Sequence, residues 1–264
     1  LYQYEIDREF PDAVMLEAKA APQAVEESAA AGRLDLRDRV IITIDGASSK
    51  DLDDAVSLER DGLGRWVLGV HIADVSHYVR PGSALDLEAW ERGTSVYFAD
   101  QVVPMLPREL SNGICSLNPR VDRLALSCVM TLMPEGEVVD HTIAKSVIRT
   151  TERMTYEDCN ALLAHSDPAL AERYARILPM LEDMAALSRV LEGRRRRRGA
   201  LELDTRESYV VCDESGTPVD VVLRTPGISE GLIESFMLAA NECVAEHLNR
   251  LDKPCVYRVH EKPS

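Results

Sequence analysis

Four aspartates crowd into ten residues of the segment 43–56, which reads Thr-Ile-Asp-Gly-Ala-Ser-Ser-Lys-Asp-Leu-Asp-Asp-Ala-Val. They are Asp45, Asp51, Asp53 and Asp54. Asp51 and Asp53 are two apart, so in extended chain they point to the same side. Asp54 points away unless the chain turns, and Gly46 with Ser48 and Ser49 permits a tight loop. Two carboxylates at ~4 Å repel by up to about 4 kcal/mol at an effective dielectric of about 20. Lys50 is the one lysine nearby. A divalent cation is the natural compensation, and oxygen-only ligands favour Mg²⁺ or Mn²⁺ over Zn²⁺. A calcium-binding EF-hand beginning at Asp45 is excluded, because its glycine and glutamate positions hold Lys50 and Val56. Spacing alone leaves three readings open: a solvated acidic turn, a divalent-cation site, and a nucleotide-sugar or other Asp-x-Asp site.

The elements that must hold this loop are legible on either side. Residues 40–44 form a β-branched run typical of a buried strand. Residues 55–58 and 66–73, joined by a turn at 61–64, read as a hairpin. Residues 83–92 read as a helix with Ser83 as N-cap and Leu85, Leu87, Ala89 and Trp90 as its apolar residues. Residues 94–122 are irregular and contain Pro104 and Pro107. A second hairpin, 124–133 with 138–148, is followed by a short helix at 156–164. A longer helical stretch, 168–194, is expected to kink or split at Pro179. Strands are expected at 201–204, 208–212 and 219–223, with a final one at 255–259. Residues 228–251 carry an apolar stripe at helical spacing, from Ile233 through Phe236, Ala240 and Cys243 to Leu251. A short helix is expected around 21–31. The pattern gives a fold of α+β class with a mixed, largely antiparallel sheet flanked by helices.

The chain of 264 residues carries 30 Lys and Arg against 45 Asp and Glu, a net charge of −15. That excludes a bulk-basic nucleic-acid coat, although not a local basic groove. No run of about 18 apolar residues exists, so no membrane partner is expected. The first ten residues lack a signal peptide's pattern and read as mid-protein sequence, so the chain is expected to be a piece of a longer one. None of the six cysteines has zinc-ribbon spacing, and they read as reduced thiols of a cytoplasmic protein.

Segment 43–56 resembles the opening motif of the ribonuclease II / ribonuclease R catalytic domain. The resemblance continues in order through VHIADVSHYV (70–79), RGTSVY (92–97), VPMLP (103–107), LSNGICSL (110–117), DRLAL (122–126), RRRGALELDTRES (196–208) and FMLAANE (236–242). It implies an RNB-type catalytic domain, partial here, with 1–35 as a lead-in from a preceding domain and 36–264 as the domain's N-terminal and central part. It implies processive 3′→5′ hydrolysis of single-stranded RNA to nucleoside 5′-monophosphates, with Mg²⁺ as cofactor and Mn²⁺ as a substitute. No preference for cleaving DNA is expected, and an RNA-degradation assembly is a partner that the family allows. Asp45, Asp51, Asp53 and Asp54 match the family's catalytic, metal-binding aspartates, with Asp45 and Asp54 expected as primary ligands. Tyr97, by its sequence an ordinary strand aromatic, matches the family tyrosine that stacks near the 3′-terminal bases.

Family members also carry OB-fold domains on both sides and a distal segment that supplies an arginine and a glutamate to the active centre. No residue here matches those. A non-catalytic RNA- or partner-binding piece is therefore the competing expectation.

The remaining candidates are RNA-contacting residues. Arg108 can hold a phosphate or an acidic neighbour. Five arginines, 194–198, suit a helix C-terminus or an RNA backbone, and the resemblance reaches Arg198 at the end of the run. Glu234 and Asn241 are seven apart on one expected helix and either face the substrate channel or serve as ordinary polar-face residues. Asp74, His71 and His77 are expected to be structural.

Overall fold

A computed structural model describes residues 7–99, 101–200, 207–213 and 215–259. In chain order the elements begin with α1 (Asp12–Ala20), α2 (Glu27–Ala30), β1 (Leu34–Asp35), β2 (Ile42–Asp45), β3 (Asp54–Arg60) and β4 (Trp66–Ala73). Next come α3 (Val75–Tyr78), α4 (Ala84–Arg92), β5 (Val96–Tyr97), β6 (Val102–Val103) and a π-helical turn, Glu109–Ile114. Then follow β7 (Asp122–Leu132), β8 (Val138–Arg149), β9 (Glu152–Thr155), α5 (Tyr156–Leu163), α6 (Pro168–Arg173) and α7 (Leu178–Arg197). The last are β10 (Glu207–Cys212), β11 (Pro218–Arg224) and α8 (Ile228–Arg250).

Seven strands make one sheet in the order β1-β8-β7-β4-β3-β2-β9. Its inner pairs are antiparallel, and the two edge pairs, β1 with β8 and β9 with β2, are parallel. The fold is thus α+β around a mixed, largely antiparallel sheet. Period-two alternation sorts the side chains. Trp66, Leu68 and Val70 of β4 pack with Val56, Met130 and Ile44 against Leu181, Leu187, Leu232 and Phe236 of α7 and α8. Burying each such side chain contributes about 1.5–3 kcal/mol. A second cluster, with Ile41, Leu52, Ala55, Ala73, Leu117, Ala125 and Ile148, covers the other face at the base of the aspartate loop. The lead-in is packed onto this side: Val14 and Ala18 of α1 meet Leu85, Leu110 and Ile114, and Glu17 accepts from the amides of Ala84 and Leu85.

Across that second face runs a buried polar chain. His71 Nε2 lies 3.1 Å from Ser57 Oγ, His71 Nδ1 lies 2.7 Å from Ser127 Oγ, and Ser127 Oγ lies 2.6 Å from Ser146 Oγ. A neutral imidazole satisfies both serines with one donor and one acceptor. Burial pushes the His71 imidazole down to about 3. Gly69 leaves the room, since a Cβ there would clash with Ser57 Oγ and come within 2.8 Å of His71 Nε2. Asp74 is likewise structural: it pairs with Arg33 at 2.8 Å, both side chains buried, and accepts from Ser76 Oγ. His77 Nδ1 lies 3.3 Å from the same arginine.

Several expectations are revised. The helix expected around 21–31 is reduced to the single turn α2 (27–30), while the longer helix α1 lies before it and ends at Ala20, because Ala21 precedes Pro22 and is extended. The long stretch splits as expected, into α6 and α7; the break falls before Pro179, which sits in the first turn of α7, where its missing N–H costs nothing. The apolar stripe of α8 stops short of Leu251, which is 54% exposed. Residues 255–259 form no strand and are exposed, having no paired edge to complete them. The expected strand at 201–204 lies outside the described residues. Within 94–122 the chain forms the short β5–β6 pair and the π-helical turn. Among the described residues no helix is long and apolar enough to cross a membrane.

Candidate active site

The aspartate loop leaves the sheet at the end of β2 and returns at the start of β3. Asp45 is the last residue of β2, in parallel register with Thr155, and Asp54 is the first of β3, opposite Ile72. Between them the backbone is tied down. Ser116 Oγ accepts from the Leu52 amide at 3.0 Å and donates to the Lys50 carbonyl at 2.9 Å. The Leu117 amide donates to the Leu52 carbonyl at 2.8 Å, and the Ala73 amide to the Asp53 carbonyl at 2.9 Å. Leu52 is the hydrophobic pin, fully buried in the lower cluster. Pinning Leu52 inward sends Asp51 and Asp53 to the opposite side, the cleft wall.

The four carboxylates act on one another. Burial and then the charge of Asp54 raise the Asp45 carboxyl to about 6, with smaller contributions from Asp51 and Asp53, while Arg153 opposes the shift. Asp53 is open to solvent on the cleft side, yet the protein around it, together with Asp51 and Asp54, raises its carboxyl to about 6 as well. Asp54 is raised by burial. Asp45 Oδ2 is buried and accepts no hydrogen bond. A buried acceptor without a donor is costly. Among the described residues no three His, Cys, Asp or Glu side chains stand as a ready-made metal-ligand set. The donor chemistry nevertheless fits a hard divalent cation: oxygen only, surplus negative charge, and one buried lone pair unclaimed.

Asp51 and Asp53 line a cleft of about 1010 Å³, shared with Tyr97, Phe98, Met105, Arg108 and Asn112 among others. Tyr97 is 69% exposed, and Asp51 and Asp53 add to the desolvation that raises its phenol. It is a surface aromatic beside the carboxylates and not a core residue. Arg108 is exposed and lies between this cleft and an adjoining cavity lined by Phe10, Met15 and Pro107. Among the described residues it has no ion-pair partner. Cys115 also reaches the cleft, but burial and then Asp53 push its thiol up to about 12, so it stays protonated.

Arg198, Glu234 and Asn241 do not line this cleft. Arg198 lines a separate cavity between the β7–β8 hairpin, α7 and α8, where it gives two hydrogen bonds to Glu242, at 3.0 and 2.9 Å. Glu234 and Asn241 are exposed on α8. Sequence reasoning gave no role to Phe98 or Asn112, although both fall inside or beside recognised motifs. It missed Arg153 entirely, whose guanidinium reaches the loop from β9.

Residues 33–264 match the RNB domain. The chain is 52% identical over 263 residues to ribonuclease R 1 of Lactococcus lactis, covering 100% of this chain and 32% of that protein. It is 49% identical over 256 residues to ribonuclease R of Thermotoga maritima, covering 97% of this chain and 36% of that protein. Mycoplasma genitalium RNase R in complex with ribose-methylated single-stranded RNA superposes with a TM-score of 0.89 at 33% identity, over 97% of this chain and 39% of that one. The chain thus spans about a third of the length of the curated relatives it matches. It belongs to the RNB domain family of ribonuclease R and ribonuclease II type.

Proposed function

We propose that the protein hydrolyses single-stranded RNA from its 3′ end, processively, releasing nucleoside 5′-monophosphates with Mg²⁺ or Mn²⁺ held by the aspartate cluster. The observation that carries this reading is the unclaimed, buried Oδ2 of Asp45 beside mutually repelling carboxylates; of the four, Asp51 and Asp53 line the cleft, and Asp45 and Asp54 stand behind them at the strand ends. Asp45 and Asp54 are the primary ligands, and Asp51 and Asp53 complete the set or orient water. Divalent ions held by these carboxylates would supply Lewis acidity for a water nucleophile and for the departing 3′-oxygen. In the net reaction the water oxygen joins phosphorus, the P–O3′ bond breaks, and the water's proton ends on O3′, so the remaining strand keeps a 3′-hydroxyl and the released nucleotide carries the 5′-phosphate. Tyr97 offers a stacking face that every base can use. Arg108 supplies an unpaired cation at the same cleft, suited to a phosphate. Arg198, Glu234 and Asn241 would meet RNA outside this cleft. A cytoplasmic location accords with the free cysteines.

The test uses the intact protein and RNA labelled at its 5′ end. A ladder that shortens steadily, with 5′-monophosphates released and a terminal product of a few nucleotides, is the expected outcome. Internal fragments or 3′-monophosphates would contradict the reading. A protein that binds the RNA and leaves it uncut would support the binding-piece alternative.

A further inference from the structure

Arg153 stands out among the residues around the aspartate loop. It is half-buried on β9, in parallel register with Thr43 of β2. Its Nη2 donates to the carbonyls of Ser49 at 2.7 Å and Ala47 at 2.9 Å, with a longer contact to Gly46 at 3.5 Å. Its Nε is buried without a hydrogen-bond partner. No carboxylate lies within ion-pair distance of it among the described residues. An arginine spent on backbone carbonyls, and not on an ion pair, is a fastener. Those carbonyls belong to the stretch that separates Asp45 from the other three aspartates. The Gly46 carbonyl also accepts from the Ser49 amide at 3.0 Å, so the guanidinium closes over a turn that is already formed.

We propose that Arg153 is a positioning residue of the aspartate cluster. By gathering the 46–49 carbonyls from across the β2–β9 pair, it fixes where Asp51, Asp53 and Asp54 stand relative to Asp45. The proposal rests on the reading of the cluster as a divalent-cation site. Its sign separates positioning from charge. By charge alone, removing a cation beside four carboxylates strengthens cation binding. By positioning, removing the clamp loosens the ligand set and weakens binding, by roughly 10- to 100-fold as for other residues that orient metal ligands. All three contacts come from Nη2; lysine keeps the charge, but its Nζ stands one bond nearer the backbone and does not reach those carbonyls, so Arg153→Lys behaves like Arg153→Ala.

The experiment measures two quantities in the intact protein and in Arg153→Ala and Arg153→Lys. One is Mn²⁺ affinity by electron paramagnetic resonance titration, and the other is hydrogen exchange at the Ser49 amide. A Ser116→Ala variant serves as a control that loosens the loop at Lys50 and Leu52 without changing charge. The expected result is faster Ser49 exchange and weaker Mn²⁺ binding in both Arg153 variants. Added guanidinium ion at sub-denaturing concentration restores both quantities in Arg153→Ala. Unchanged Ser49 exchange overturns the proposal whatever the metal does. Faster exchange with unchanged or tighter Mn²⁺ binding overturns it too, because the loop then does not set the ligand geometry. If Arg153→Ala does not fold, Arg153→Lys decides by the same two readouts. If the wild-type cluster binds no Mn²⁺, the site reading fails and the proposal, which rests on it, fails too; Ser49 exchange then reports separately whether Arg153 clamps the loop.

Discussion

The carboxylates of Asp45 and Asp54 repel one another across the β2–β3 pair, and of the charges around Asp45 that of Asp54 weighs most. Both residues stand at strand ends, so the sheet fixes where their backbones lie. A fold retains such a strained pair where function uses it. Replacing Asp45 with Asn keeps the shape and removes one charge. We expect Asp45→Asn to raise stability in chelator by on the order of 1 kcal/mol. Thermal melts of the two proteins in EDTA check this, and a clear loss of stability would show that the cluster is not under electrostatic strain.

Asp53→Asn should separate binding from chemistry. Its carboxylate is open to the cleft, so substitution leaves the fold intact. Turnover should fall by orders of magnitude while RNA affinity stays near wild type, because a group acting on transition-state charge affects the rate and not the ground-state grip. Single-turnover rates beside filter-binding affinities decide it.

Tyr97→Ala removes a stacking face worth about 1–3 kcal/mol per base. Long RNA keeps its other contacts, so its degradation should continue. A short strand depends on the few contacts near the aspartates, so the terminal product should lengthen by a few nucleotides. An unchanged end product would mean that the exposed ring beside Asp51 and Asp53 does not grip substrate.

His71 supplies a pH dependence of stability. Its folded value, about 3, lies below the usual value of 6.5, so below pH 6.5 the unfolded chain binds a proton that the folded one refuses. Stability is therefore full above pH 6.5 and falls as pH drops from 6.5 towards 3, at up to about 1.4 kcal/mol per pH unit from this group. His71→Gln, which keeps a donor and an acceptor for Ser57 and Ser127, should flatten that slope. Urea midpoints between pH 5 and 7 measure it.

Sequence patterning made much of this architecture legible. The apolar run of β4, the turn at 61–64 and the Ser83 cap, whose Oγ accepts from the Asp86 amide at 3.2 Å, are local signals. Pro179 announced the split between α6 and α7 for the same reason. Long-range pairings were invisible. Arg153 reaches the aspartate loop only because β9 adds to β2 in parallel, and nothing in 150–155 announces that partner. The bidentate grip of Glu242 on Arg198 likewise joins two helices that meet only on folding. The run 255–259 has strand composition, but composition makes a strand only where an edge receives it.

Whether the four aspartates form a divalent-cation site is decided by calorimetric titration of Mn²⁺ into the wild-type protein and into an Asp45→Asn/Asp54→Asn double variant. We predict a clear binding isotherm for the wild type and its loss in the double variant, with both proteins folded by circular dichroism. Equal binding by the two would contradict the assignment.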